Sequence, residues 1–117
     1  MINEMIAKVF EARNVAHLEH WNTGNYAAHE ALGDFYEEVI PLLDSLVEAH
    51  SGAFGKVGKV ELGPRQTKSC KALLGEHVVW ISKNREEIAG DIDALENIID
   101  EIVALYLTTL YKLKELS

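Results

Sequence analysis

Histidines and carboxylates carry most of the chemistry open to this 117-residue chain, which has five His and nineteen Asp or Glu. His17 and His20 stand three apart, so a helix presents both on one face, and His29 follows across the short break Asn22-Thr23-Gly24-Asn25. Imidazole suits iron and zinc, and carboxylates suit harder ions. Glu30, Asp34, Glu37, Asp44 and Glu48 supply a carboxylate stripe at heptad spacing, with Pro41 as its one gap. Clustered carboxylates facing a neighbour's histidines would hold ferrous iron and let oxygen or peroxide oxidise it. The competing reading is structural. A lone histidine on an apolar seam is more often a hydrogen-bonded core residue, the expectation for His50 and His77, and an acidic stripe beside a seam is usually a solvated flank. For His17, His20 and His29 together the two readings stand level.

Several other chemistries have no residues to run on. Cys70 is the single cysteine, which excludes an internal disulfide and a cysteine-based zinc site. No histidine has a glutamate three residues before it, so the Glu-x-x-His pairs of a di-iron centre within one bundle are missing. The glycines of residues 52–63 lack P-loop spacing, and no nucleophilic triad stands out.

The elements that must position these side chains are helices. Ile2, Ile6, Val9, Arg13, Ala16 and His20 step by three and four, which predicts a first helix over 2–21. Gly24 is expected to take the left-handed conformation after it, and Asn25 to cap the next helix. His29, Leu32, Tyr36, Val39, Leu43, Leu46 and His50 predict a second helix over 26–50, bent at Pro41 rather than ended there. A turn this short makes the two antiparallel neighbours. Residues 51–63, with four glycines, read as a loop, and Pro64 suits the first position of a third helix. That helix turns Cys70, Leu73, Leu74, His77, Val78 and Ile81 inward. Gly90 is the expected boundary, with Asn84 and Glu87 as a competing cap pair. The last helix carries Ile92, Leu95, Ile99, Ile102, Tyr106, Leu110 and Leu113. Thirteen loop residues reach about 43 Å and a 25-residue helix is about 38 Å long, so both a crossover and an up-down turn fit. The expected fold is all-α: one four-helix bundle domain over residues 1–117.

A net charge of −8 argues against nucleic acid as a partner. Lys56, Lys59, Arg65, Lys68 and Lys71 make a local basic stretch and Lys112 and Lys114 a second, both read as solvated lysines and arginine. No apolar run approaches a membrane span, and the first residues lack the pattern of a secretory signal. A reducing cytosol is the expected compartment.

The runs His20-Trp21-Asn22-Thr23-Gly24-Asn25-Tyr26, His29-Glu30-Ala31-Leu32-Gly33-Asp34-Phe35-Tyr36 and Asp44-Ser45-Leu46-Val47-Glu48 resemble the Dps family, ferritin-like proteins that store iron and protect DNA. The resemblance implies a ferritin-like bundle. It also implies an iron site between subunits, where His20 of one copy meets Asp44 and Glu48 of another, with His29 at the family's second-helix histidine. The family's remaining aspartate falls on Gly33, with Asp34 one residue and about 100° further round the helix. The turn is shorter than the family's, the crossover lacks room for its extra helix, and there is no lysine-rich N-terminal tail. The second half, around Asn97–Ile102 and Thr109–Leu113, is similar to small Dps-like proteins of tailed bacteriophages. The expected function is therefore a non-catalytic ferritin-like bundle with a degenerate metal site, an interaction or assembly protein in a phage host's cytoplasm. The alternative is an iron-binding, ferroxidase oligomer. Candidate metal ligands are His17, His20, His29, Asp34, Asp44 and Glu48. Iron is the one cofactor implied, and the expected partners are further copies of the chain, as a dimer or larger.

Overall fold

The computed structural model of the chain describes residues 1–63 and 68–117. Helix α1 (Ile2–Asn22) turns Ile2, Met5, Ile6, Val9, Ala12 and Ala16 into the core at the three-and-four spacing of one face. It ends because Thr23 is extended, not because Gly24 turns left-handed: Gly24 has no positive φ. Asn25 caps α2 (Tyr26–Phe54) as its residue type predicts, its Oδ1 accepting from the Ala28 N–H at 2.8 Å.

Helix α2 runs unbroken through Pro41 and outlasts its expected end by four residues, to Gly55 at φ 95°. Its 29 residues give about 43 Å at 1.5 Å each, matching the 44 Å long axis of the molecule. Its buried face is Ala28, Ala31, Leu32, Phe35, Val39, Leu43 and Leu46, whereas His29, Tyr36 and His50 of the expected seam are only half-buried. The reason is that α2 packs against two neighbours, α1 and α4, so its apolar face must be wider than a single seam.

Helix α3 (Cys70–Ala89) opens on Ser69, whose hydroxyl accepts from the Ala72 N–H at 3.2 Å. The expected start at Pro64 lies outside the described residues. Gly90 ends α3 in the left-handed region (φ 57°, ψ 36°), as expected of it, and α4 (Asp93–Tyr111) follows, closing in a π-helical turn over Lys112–Leu116. Arg85 forks onto Asp100 at 2.6 and 2.8 Å and reaches Glu96 at 2.9 Å, tying α3 to α4 across the turn. The described residues form four α-helices and no strand.

The α2–α3 connection is a crossover. At one end Asn3 Nδ2 donates to the Val57 and Lys59 carbonyls at 2.9 and 2.8 Å. At the other, the Cys70 N–H donates to Glu19 Oε1 at 2.6 Å. Residues 3 and 19 are about 24 Å apart along α1, so the chain returns along most of α1. Helix α3 then packs antiparallel to α1, with His77 beside Glu11 and Trp80 under Lys8. Helix α4 packs antiparallel to α2, with Tyr106 set edge-on to Phe35 at 5.1 Å. The result is a four-helix bundle with one long connection. No helix is long and apolar enough to cross a membrane among the described residues.

Candidate functional site

The last turn of a helix leaves carbonyls without intrahelical partners. At the end of α1 one of these is the carbonyl of His20, and His29 Nδ1–H donates to it at 2.8 Å. His20 Nδ1–H returns the bond to the His29 carbonyl at 2.6 Å. The two rings stack at 3.7 Å between centroids and 17° between planes. Carbonyls only accept, so each histidine carries its proton on Nδ1 and leaves Nε2 free. The pair is a reciprocal clasp that fixes the α1–α2 turn.

Gly33 makes the clasp fit. A Cβ there would lie 3.0 Å from His20 Cε1 and 3.2 Å from its Nδ1, so the imidazole occupies the space a side chain at residue 33 would need. Around the clasp the aromatic side chains continue. His17 stacks on Tyr36 at 4.0 Å and 17°, Trp21 lies 4.7 Å from His17, and the Arg13 guanidinium stands 5.4 Å from the Tyr36 ring centre. The Tyr36 edge meets His20 at 5.3 Å, and Tyr26 flanks His29 at 6.4 Å.

Of the six candidate ligands, the fold brings His17, His20 and His29 together and leaves the carboxylates apart. Asp34 is exposed, with Lys112 Nζ at 3.9 Å. Asp44 and Glu48 are exposed and lie eleven and fifteen residues beyond Gly33 on α2, about 16 and 22 Å along the axis. Among the described residues of one chain, no three His, Cys, Asp or Glu side chains converge on a metal position. The stripe members Glu30 and Glu37 are exposed as well.

A second polar cluster sits in the core. Tyr106 O–H donates to His77 Nδ1 at 3.1 Å, and His77 Nε2 lies 3.4 Å from Glu11 Oε1. Burial, helped by Lys8 and partly opposed by Glu76, pushes the His77 imidazole down to about 4. The histidine is thus neutral at neutral pH, a hydrogen-bonded core residue as expected. Burial also raises the Tyr106 phenol and, with the Glu19 charge, pushes the Cys70 thiol up to about 12, which makes Cys70 an inert core side chain. His50 does not take the expected hydrogen-bonded role: its ring lies tilted at 52° against Phe54 at 4.8 Å, its Nδ1 is buried with no hydrogen-bond partner among the described residues, and burial and the Met1 amino group hold it below its ordinary value.

Glu11 links this cluster to a groove of about 400 Å³ between α1 and the crossover, walled by Phe10, Val15, Leu18 and Leu62 and carrying Glu19. Sequence reasoning missed both. Glu11, His77 and Tyr106 come from three helices and share no local signal. The Arg13, His17, Trp21 ladder had one, since those residues recur every four positions on α1.

No curated protein and no solved structure matches the chain. A family model described as a family of unknown function (DUF5856) matches residues 20–113, a span that opens on His20 of the clasp and takes in α2, α3 and α4. With most of its length matched, the chain belongs to that family of unknown function.

Proposed function

We propose that this chain is a non-catalytic, Dps-like helical bundle of phage origin, in which a ferritin-like metal site has degenerated and the surface serves binding and assembly. Gly33 carries the reading. It stands where the family resemblance implies an aspartate ligand, and the His20 ring fills the volume an aspartate would need. Both histidines spend Nδ1 on the backbone of the turn, a structural role that needs no metal. The single long crossover supports a ferritin-like ancestry. Large apolar side chains left in solvent, among them Leu18, Trp21, Tyr26 and Leu62, support an interaction role. Similarity around Asn97–Ile102 and Thr109–Leu113 to phage Dps-like proteins supports the origin.

Anaerobic calorimetric titration with ferrous iron, paired with light scattering, tests the reading. It predicts a monomer or dimer that takes up no stoichiometric iron. Saturable uptake by a large, shell-like assembly would overturn it.

One observation favours a second reading, the iron-binding oligomer. Metal-bound histidines usually donate their other ring N–H to a carbonyl or carboxylate, and His20 and His29 both do so with Nε2 left free. In that reading Asp44 and Glu48 of a second copy complete the site, and Asp44→Ala abolishes iron uptake.

A further inference from the structure

We propose that the outer face of α3 and α4 pairs with the same face of a second copy of this chain, the copies related by a two-fold axis that crosses both helices. The inference rests on the binding and assembly role above. On α3, Lys71, Gly75, Val78 and Ser82 lead to Arg85 in steps of three and four. On α4, Glu96, Asp100, Val103, Leu107 and Tyr111 step likewise, and the bonds of Arg85 to Glu96 and Asp100 set the two rows side by side. The centre of this face is uncharged. Val78 and Val103 sit half-buried in its seam, while Val79, Leu107 and Tyr111 expose 69%, 50% and 55% of their surface. Gly75 leaves room for an opposing helix, since a Cβ there would meet nothing within 4 Å. The face is about 30 Å long and, as two helices side by side, about 20 Å wide. Two copies would bury about 1,200 Å² in total, the lower end of the range for stable interfaces.

Charge selects the occupant and its orientation. His77 with Tyr106, and Arg85 with Asp100, fix the register of α3 against α4 and set Val79 level with Ala104. Lys71 and Glu86 lie on either side of that level, about 11 Å each way along α3, and Lys114 and Asp93 about 16 Å each way along α4. Turning a second copy end over end therefore brings Lys71 to Glu86 and Lys114 to Asp93, and the two-fold axis forms each pair twice. Among the described residues none of these four side chains already has an ion-pair partner. Lys83 and Arg85 also stand at the acidic end, where Glu96 and Asp100 hold Arg85, and Glu115 stands at the basic end. The two ends stay opposite in sign. An axis running along the helices would instead set Lys71 near Lys114, a like-charge contact. Helix α2 offers no such match: it exposes Glu30, Asp34, Glu37, Glu38, Asp44 and Glu48 and has no lysine or arginine, so two copies repel there.

Sedimentation equilibrium on the untagged chain across the micromolar range is expected to show a monomer–dimer equilibrium. Val79→Glu and Leu107→Glu, at exposed positions that the fold tolerates, should each weaken dimerisation about tenfold, a change of about 1.4 kcal/mol. Leu18→Glu, exposed on α1 outside the face, should not. Lys71→Glu and Glu86→Lys should each weaken it about tenfold, since each reversal puts like charges together at two places. The two reversals combined should restore the dimer, a recovery that a merely damaged fold would not give. Circular dichroism melts confirm that the variants fold. A parent chain that stays monomeric across the range, a dimer that neither Val79→Glu nor Leu107→Glu weakens, or a double reversal no tighter than the single ones would overturn the assignment. An iron-free monomer loses the dimer face but keeps the proposed function; iron uptake removes that function, and the face variants still decide the interface.

Discussion

Gly33→Ala should destabilise this bundle even though it places a better helix former inside α2. Alanine in place of glycine within a helix contributes about 1 kcal/mol. Against this, the new Cβ would sit 3.0 Å from His20 Cε1, and the ring has nowhere to retreat, since His29 stacks on it at 3.7 Å. Displacing the His20 ring forfeits its hydrogen bond to the His29 carbonyl, worth about 1 kcal/mol, and a ring contact of about 1 kcal/mol. The balance is a net loss of about 1 kcal/mol, or a fall in Tm of several degrees. Urea unfolding measures the loss, and nitrogen NMR of the imidazoles reports whether the two Nδ1–H groups survive. A double-mutant cycle with His20→Ala sharpens the test, because without that ring Gly33→Ala should become stabilising. A Gly33→Ala protein that is more stable than the parent, with both Nδ1–H signals unchanged, would refute the clasp.

The core cluster makes a pH-dependent contribution. His77 is depressed from 6.5 to about 4 in the folded protein, so the unfolded chain binds its proton first. Its contribution is complete above pH 6.5 and is lost as pH falls towards 4, by at most about 3 kcal/mol. Urea midpoints at pH 7 and pH 4.5 should differ accordingly, and His77→Gln should flatten that interval to what the likewise depressed His50 contributes. Tyr106→Phe keeps the packing on Phe35 but leaves His77 Nδ1 unpaired in the core, at a cost of about 1–2 kcal/mol in the same assay. Cys70, fully buried with its thiol pushed up to about 12, should resist iodoacetamide at pH 8 until urea unfolds the chain; prompt labelling of the native protein would contradict its burial.

What the residues announced was chiefly periodic or chemical. The three-and-four steps of Ile2, Ile6 and Val9, the cap at Asn25 and the left-handed Gly90 are local signals, and each appears in the fold. Phe35 was not legible on α2, because a single heptad seam does not reveal that a helix serves two neighbours. The crossover was undecidable from length, and it is fixed by side chains that meet only in three dimensions, Asn3 with Val57 and Glu19 with Cys70. At the site, the proximity of His17, His20 and His29 followed from spacing across a short turn. That His20 and His29 clasp each other's carbonyls did not, because it depends on the space left by Gly33.

Whether the clasp is structural alone or also presents Nε2 to a metal is decided at the same two rings. Imidazole NMR during anaerobic addition of cobalt(II), a paramagnetic stand-in for ferrous iron, reads both at once. Degeneration of the site predicts that the His20 and His29 signals keep their positions and their Nδ1–H protons through several equivalents. Stoichiometric shifting or broadening of those two rings, lost on Asp44→Ala, would mean that the histidines are working ligands and that the bundle binds metal.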